Sequence, residues 1–482
     1  MSRYTSATAE DRQAMLAAIG VQSIEELFAD IPEGVRLRRE LALGGGRSEL
    51  EVYEELRALA ERNVSCEEEV SFLGAGMYDH YVPAVVDAIT QRSEFLTPYT
   101  PYQPEVSQGT LQAMFEYQTA ICELTGLPVS NASVYEGPSA VAAAGYLARQ
   151  AVGRRRFVVS RGVHPHAREA LRTLAHGWGM EVVEAPLIDG ATTLPALDQE
   201  VSAVIVSQPN FLGAVEDLAA LSAAAHEVGA LSICSCDPIA LSLLRTPGEC
   251  EVDVAVGEGQ PLGGRLDFGG PSFGFFASTE ALLRRLPGRI AGETRDSDGR
   301  RGFVLTLQTR EQHIRRERAT SNICTAQALN ALAAVVYLSW LGARGFVELG
   351  ELLVQRTAYA RERLCSVDGV EPLHARPVVR EFAVRLQAPV DQVVERCLAA
   401  GINPGYPLAR CYPEYERGLL VAITERRTRA DIDRLAQALG EAVASCREPA
   451  ERQKAPAAVG RPAAASEERD SAREAPTMGV RA

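Results

Sequence analysis

The sequence predicts an α/β protein: a mostly parallel sheet with helices on both faces, followed by a smaller α+β domain. Short apolar runs at 156–160, 181–185, 203–207 and 230–236 read as strands, with helical stretches at 166–176 and 217–228 between them. Strands separated by helices pair in parallel and bury both sheet faces. Two more apolar runs, Val252 to Val256 and Phe273 to Ala277, continue the pattern. Beyond a long helix from Ala326 to Leu341, strands at 381–386 and 419–424 alternate with helices at 345–364, 390–400 and 429–445.

In chain order, Thr8-Ala-Glu-Asp11 opens an amphipathic helix, a short helix runs from Ser23 to Phe28, and Ser48-Glu-Leu-Glu51 starts another that reaches Arg62. Both starts have the capping-box form, a hydroxyl residue followed three places on by an acid. These pieces predict a helical arm over 1–65. From Ser71 to Thr90 a glycine turn leads into a helix. Pro98, Pro101 and Pro104 then forbid a helix and predict an extended loop. Helix resumes from Gly109 to Leu124 and stops at Gly126. Pro138 to Arg149 is a helix with proline at its first position. The large domain is expected over 66–325 and the small one over 326–446. The stretch 447–482 contains no Leu, Ile or aromatic residue and is expected to be disordered.

Composition narrows the function classes. With 46% hydrophobic and 23% charged residues the chain reads as globular. A net charge of −14 argues against nucleic-acid binding. No apolar run reaches the ~20 residues of a membrane span, and the polar N-terminus lacks the core of a signal peptide. A cytoplasmic address is expected. The ten cysteines lack the density of a disulfide scaffold, and Cys234-Ser235-Cys236 reads as small buried thiols in a strand. His80 and His313 have no paired ligands at metal spacing, so no metal site is expected.

A few residues could carry chemistry. Asn131 to Ser139 places a glycine turn at a helix start, where free N–H groups and the helix dipole favour an anion, with Ser139 as a further donor. Asp237 ends a strand, either capping the turn at Pro238 or facing a ligand crevice. His164 follows a strand and either stacks on a planar ring or caps the helix from Pro165. The run 307–327 is rich in arginine: Arg310, Arg315, Arg316 and Arg318, with Glu311 and Glu317 interspersed, read as a salt-bridged helix face, either solvated or in a buried or interfacial role. Thr320-Ser321-Asn322 reads as the cap of the Ala326 helix.

The layout from Leu231 to Phe276 resembles the core of fold-type I pyridoxal phosphate (PLP) enzymes. The resemblance implies an aspartate, here Asp237, facing the pyridine nitrogen, and a lysine after the next strand carrying the aldehyde. That lysine is missing. Of 49 Lys and Arg residues one is lysine, Lys454, far along the tail. Arginine cannot replace a Schiff-base lysine, because guanidinium stays protonated. No histidine lies between His226 and His313 to substitute as base.

Five stretches sharpen the resemblance: FLGAGMYDHYVP (72–83), TPYTPYQPEVSQGTLQAMFEYQTAICELTG (97–126), VGEGQPLGGRLDFGGPSFGFFA (256–277), PGRIAGETRDSDG (287–299) and RRGFVLTLQTREQHIRRERATSNICTAQALNAL (300–332). Together they resemble the glycine decarboxylase P-protein family, and within it the lysine-less subunit 1 of the two-subunit form. The resemblance implies glycine decarboxylation with transfer of the aminomethyl group to the lipoyl arm of H-protein, in an α2β2 assembly whose subunit 2 holds the PLP. It also implies a vestigial pocket around Ser139, His164, Asp237 and Gln260, the last near the lost lysine position. Fold-type I dimers lend residues across the interface, so Tyr99, Tyr102, Gln103 and Glu105 become candidates for the subunit 2 active site. The alternative is a non-catalytic interaction protein that retains a degenerate form of the fold.

Overall fold

The computed structural model describes residues 6–447, in two units that divide at Val64/Ser65. The tail expected over 447–482 lies, apart from Arg447, outside the described residues. In the first unit the helices Ala9–Ile19 and Glu49–Ala60 both begin with the reciprocal capping boxes expected, Thr8 with Asp11 and Ser48 with Glu51. Neither helix buries a residue. Met15, Ile19, Leu50, Tyr53, Leu56 and Leu59 are all exposed, so this unit has no interior of its own.

The second unit is built on a seven-stranded sheet. Its strands are β1 (Val129–Ser130), β2 (Arg156–Ser160), β3 (Glu181–Ala185), β4 (Val201–Gln208), β5 (Leu231–Cys236), β6 (Val254–Glu258) and β7 (Gly274–Ser278). The spatial order is β1-β7-β6-β5-β4-β2-β3. Pairing is parallel from β6 to β3, while β7 runs antiparallel to both neighbours. Alternate side chains enter opposite faces, as a pleat requires. Phe157, Val159, Ala203, Ile205, Ile233, Val254 and Val256 pack with Val141, Ala144, Leu147 and Leu171 on one face. Val158, Val204, Val206, Cys234, Cys236 and Ala255 pack with Tyr117, Ile121, Tyr337 and Leu353 on the other. The paired cysteines are thus buried core thiols.

Helix 326–341 and helix 345–364 form one element, Ala328–Cys365, interrupted at Gly342 (φ 62°, ψ 174°). It is long and apolar enough to cross a membrane by length and composition, but it buries twelve residues, from Ala331 to Leu364, in the unit's packing. Its start departs from expectation. Thr320 to Asn322 do not cap it; instead the N–H of Gln327 donates to Ser133 Oγ at 2.9 Å, a cap supplied by another element. The stretch 307–319 is not a continuous helix either. It holds one α-turn, Gln312–Arg315, between two 3₁₀ turns, and Arg316 sits at φ 52°. Arg310 is buried, donating to the carbonyls of Leu286 and, at 3.0 Å, Gly288. Pro104 begins a 3₁₀ turn, Pro104–Val106, inside the otherwise extended loop.

A four-stranded antiparallel sheet, in order Val370–Pro372, Glu381–Leu386, Gly418–Ala422 and Tyr406–Pro407, is backed by Val390–Ala399 and Arg429–Cys446. Phe382, Val384, Val393, Val421, Leu435 and Leu439 form its core. It meets the loop after β4 at Gly213 (φ 84°), whose added Cβ would lie 2.0 Å from the Glu381 carbonyl oxygen. Gly213→Ala should therefore destabilise the chain by more than the ~1–2 kcal/mol of left-handed backbone strain alone. A thermal melt matching that of the unsubstituted protein would contradict this contact.

Candidate functional site

At the carboxyl ends of β4 to β6 lies a cavity of about 690 Å³, lined among others by Tyr78, Glu136, His164, Asp237, Glu258 and Arg380. This is where ligand crevices form in doubly wound sheets. The cavity brings together His164, Asp237 and the Gly137 turn. The Gln260 side chain is buried beside it.

The helix Gly137–Val152 presents its N-terminus to the cavity, but its own chain fills the anion position. Glu136 is the N-cap, and its Oε1 accepts from the Ser139 N–H at 3.0 Å and from the Ser139 hydroxyl. Glu258, at the end of β6, accepts from the Gly137 N–H (3.0 Å) and from the Gln260 N–H (3.0 Å). Burial pushes the Glu258 carboxyl up, against its hydrogen bonds from Gly137, Ser272 and Gln260, while the Glu136 charge adds to the rise. The donors that would hold a phosphate thus already serve two carboxylates.

Asp237 is engaged as well. Its Oδ1 accepts from the Ile239 N–H at 3.0 Å, the turn-forming role. Its Oδ2 lies 2.7 Å from Arg380 Nε, an ion pair without hydrogen-bond alignment. Arg380 is 3% exposed, and its guanidinium carbon sits 3.5 Å from the Tyr78 ring centroid. The same guanidinium contacts His80 Nε2, and His80 Nδ1 lies 2.6 Å from Glu425 Oε2. Because arginine only donates, Nε2 accepts and Nδ1–H donates to Glu425.

The loop 72–83 closes this side. Gln260 clamps it in both directions: its Oε1 accepts from the Tyr78 N–H (2.9 Å), and its Nε2 donates to the Tyr78 carbonyl (3.0 Å) and the Gly264 carbonyl (2.9 Å). Glu381 accepts from the Ala75 N–H (2.8 Å) and the Tyr78 hydroxyl (2.9 Å). His164 caps the helix Pro165–Trp178, accepting at Nδ1 from the His166 N–H (3.2 Å), while Nε2 donates to the Ala75 carbonyl (2.9 Å). Its ring meets Phe211 edge-on, at 5.2 Å between centroids. Burial brings its pKa down to about 4, so it is neutral near pH 7.

These residues do not fit PLP. No lysine precedes Lys454, the phosphate position is held by two carboxylates, and Asp237 already faces a cation. Among the described residues no three His, Cys, Asp or Glu side chains gather as a metal site.

Tyr99, Tyr102, Gln103 and Glu105 lie elsewhere, all exposed and none lining the cavity. Tyr99 Oη accepts from the Thr325 hydroxyl at 3.1 Å, and Tyr102 Oη accepts from Arg289 at 2.7 Å. A pocket of about 180 Å³ between Pro98, Tyr99, Met114 and the start of the Ala328 helix separates this loop from the interior. Sequence reading missed Tyr78, Glu136, Glu258, Arg380, Glu381 and Glu425. Only Glu136 carried a local signal, a capping acid three residues before Ser139.

Burial raises the Glu381 carboxyl from 4.5 to about 7, against its hydrogen bonds from Ala75 and Tyr78. The folded chain therefore holds a proton that the unfolded chain releases between those values. This contribution to stability is complete below the unfolded pKa and fades as pH rises through the folded one. Glu381→Gln should flatten the pH dependence of urea unfolding over about pH 5–8, by on the order of 3 kcal/mol at most. Parallel curves for the two proteins would show an ordinary carboxyl. The isolated chain carrying Lys454→Arg should show no saturable PLP binding by equilibrium dialysis, and saturable binding would refute the misfit.

The profile of the glycine cleavage system P-protein family matches residues 2–439. The probable glycine dehydrogenase (decarboxylating) subunit 1 of Geobacillus kaustophilus is 51% identical over 445 residues, covering 92% of this chain and 99% of that one. Its counterpart from Bacillus subtilis is 48% identical over 443 residues, covering 91% and 99%. The crystal structure of an inhibitor-bound glycine decarboxylase (P-protein) superposes with a TM-score of 0.83 at 44% identity, covering 92% of this chain and all of that one. At 17% identity, a sphingosine-1-phosphate lyase from Burkholderia pseudomallei (TM-score 0.61) shares the fold alone, over 87% of this chain and 95% of that one. The fold is that of the fold-type I PLP enzymes, and with half its residues shared over nine-tenths of its length the chain belongs to the glycine cleavage system P-protein family.

Proposed function

We propose that this chain is subunit 1 of a two-subunit glycine decarboxylase, the half that anchors no cofactor. The glycine cleavage role comes with the family and with relatives named as subunit 1. One observation carries the finer reading: the position that would grip a cofactor phosphate is filled by Glu136 and Glu258, in a chain without a lysine before Lys454. Catalysis then needs a partner, subunit 2, which holds the PLP in an α2β2 assembly and passes the aminomethyl group to lipoylated H-protein. PLP supplies the electron sink for loss of CO2 from glycine. This chain's part is to complete the partner's pocket and exclude water from it.

The loop from Tyr99 to Glu105 is what it lends. The side chains are exposed, do not line this chain's own cavity, and stand on a backbone stiffened by Pro98, Pro101 and Pro104. A preordered loop loses less entropy when it docks. Tyr102 and Gln103 would donate to the glycine carboxylate or the cofactor.

Glycine–bicarbonate exchange tests the pairing. Activity should appear when the chain is mixed with a lysine-bearing subunit 2 and H-protein, and in neither subunit alone. Turnover by the isolated chain with PLP would overturn the reading. A mixture as active without this chain would leave only a non-catalytic interaction protein. Tyr99→Phe with Tyr102→Phe should lower kcat/KM for glycine by roughly 10- to 100-fold, the worth of one or two hydrogen bonds to a charged group. Unchanged kinetics would make the loop merely structural.

A further inference from the structure

Behind the 97–108 loop lies a second buried polar cluster, separate from the vestigial cavity. Arg289, just before the hairpin strand Ile290–Arg295, is 3% exposed. Its guanidinium donates to the Cys324 carbonyl through Nη1 and to Tyr102 Oη at 2.7 Å through Nη2. It also lies 5.3 Å from the centroid of the Tyr102 ring. Nε faces Glu311 Oε2 at 3.6 Å, an ion-pair distance without a hydrogen bond. Glu311 is 6% exposed, and the half-exposed His313 stands 3.7 Å from the same oxygen. The His313 ring packs edge-on against Tyr102, with centroids 5.7 Å apart. A buried arginine–glutamate pair is at best neutral for stability. Here it ends on a tyrosine that is 48% exposed.

The chemistry of that contact is directional. A phenol has one O–H to donate and lone pairs to accept with. Arginine only donates, so Arg289 takes an accepting position on the Tyr102 oxygen and leaves its O–H to donate elsewhere. We propose that Arg289, held by Glu311, is a positioning residue that fixes Tyr102 as an outward hydrogen-bond donor to the carboxylate of glycine in the partner's active site. The inference rests on the proposed pairing with subunit 2. It adds how the lent tyrosine is kept in its role and which part of the substrate it meets.

The test uses the reconstituted complex and measures the glycine dissociation constant by equilibrium dialysis alongside exchange kinetics. Arg289→Lys keeps the charge but loses the forked geometry. It should weaken glycine binding and raise KM by about tenfold with little change in kcat. Tyr102→Phe should do the same, and the double variant should be no worse than Tyr102→Phe, because Arg289 acts through that hydroxyl. If Arg289→Lys melts early, Glu311→Gln takes its place, with the same loss of affinity expected and the same lack of additivity with Tyr102→Phe. An unchanged dissociation constant, or an equal loss in the wild-type and Tyr102→Phe backgrounds, overturns the proposal. An active mixture insensitive to Tyr102→Phe also overturns it while leaving the pairing intact. A mixture with no activity refutes the pairing and takes this inference with it.

Discussion

The ion pair between Asp237 and Arg380 organises the region around the cavity. It ties the carboxyl end of β5 to the residue that opens the strand Glu381–Leu386. The guanidinium is buried and the carboxylate 2.7 Å away only partly so, and such a pair is tolerable when further contacts offset the desolvation. The Tyr78 ring lies under the guanidinium, His80 accepts from it and Glu425 orients His80, while Nε makes no hydrogen bond and has only the ion pair. The loop 72–83 owes its course to this chain of contacts and to the clamp from Gln260. Without the pair, Asp237 would face the cavity with only the Ile239 N–H to hold it.

The same logic governs the helix that starts at Gly137. A helix start leaves N–H groups unpaired and carries partial positive charge. Something negative must settle there, and in this chain it is Glu136 and Glu258. Glu258 sits two residues before Gln260, so one short segment of β6 and its exit supplies both the anion and the loop clamp. The cavity is thus rimmed by side chains that are largely engaged with one another. Meanwhile the exposed Tyr99 and Tyr102 lie outside it, against Thr325 and His313.

Much of the sheet was legible in the sequence because its signal is local. Runs such as Phe157 to Val159 and Ala203 to Val206 are buried on both faces, and every position in them is apolar. Asp237 was legible for a similar reason, as a polar residue ending such a run. Arg380 and Glu381 were not, since a charged pair before a strand looks like any solvated strand start until the fold brings it against Tyr78. The cap from Ser133 to Gln327 was hidden in the same way, its partners lying nearly two hundred residues apart. The run around Arg310 leaves a solvated and a buried role open, and what decides for burial is the Leu286 and Gly288 carbonyls of another loop, which accept from its guanidinium. Long-range polar contacts leave little periodicity behind, and periodicity is what a single sequence offers.

The carboxylates at the Gly137 helix have an effect on the chain as a whole. A protein whose native state captures a cofactor gains stability in proportion to the logarithm of that cofactor's concentration. This chain caps its own helix from within, so the start of that helix needs no bound anion to satisfy its donors.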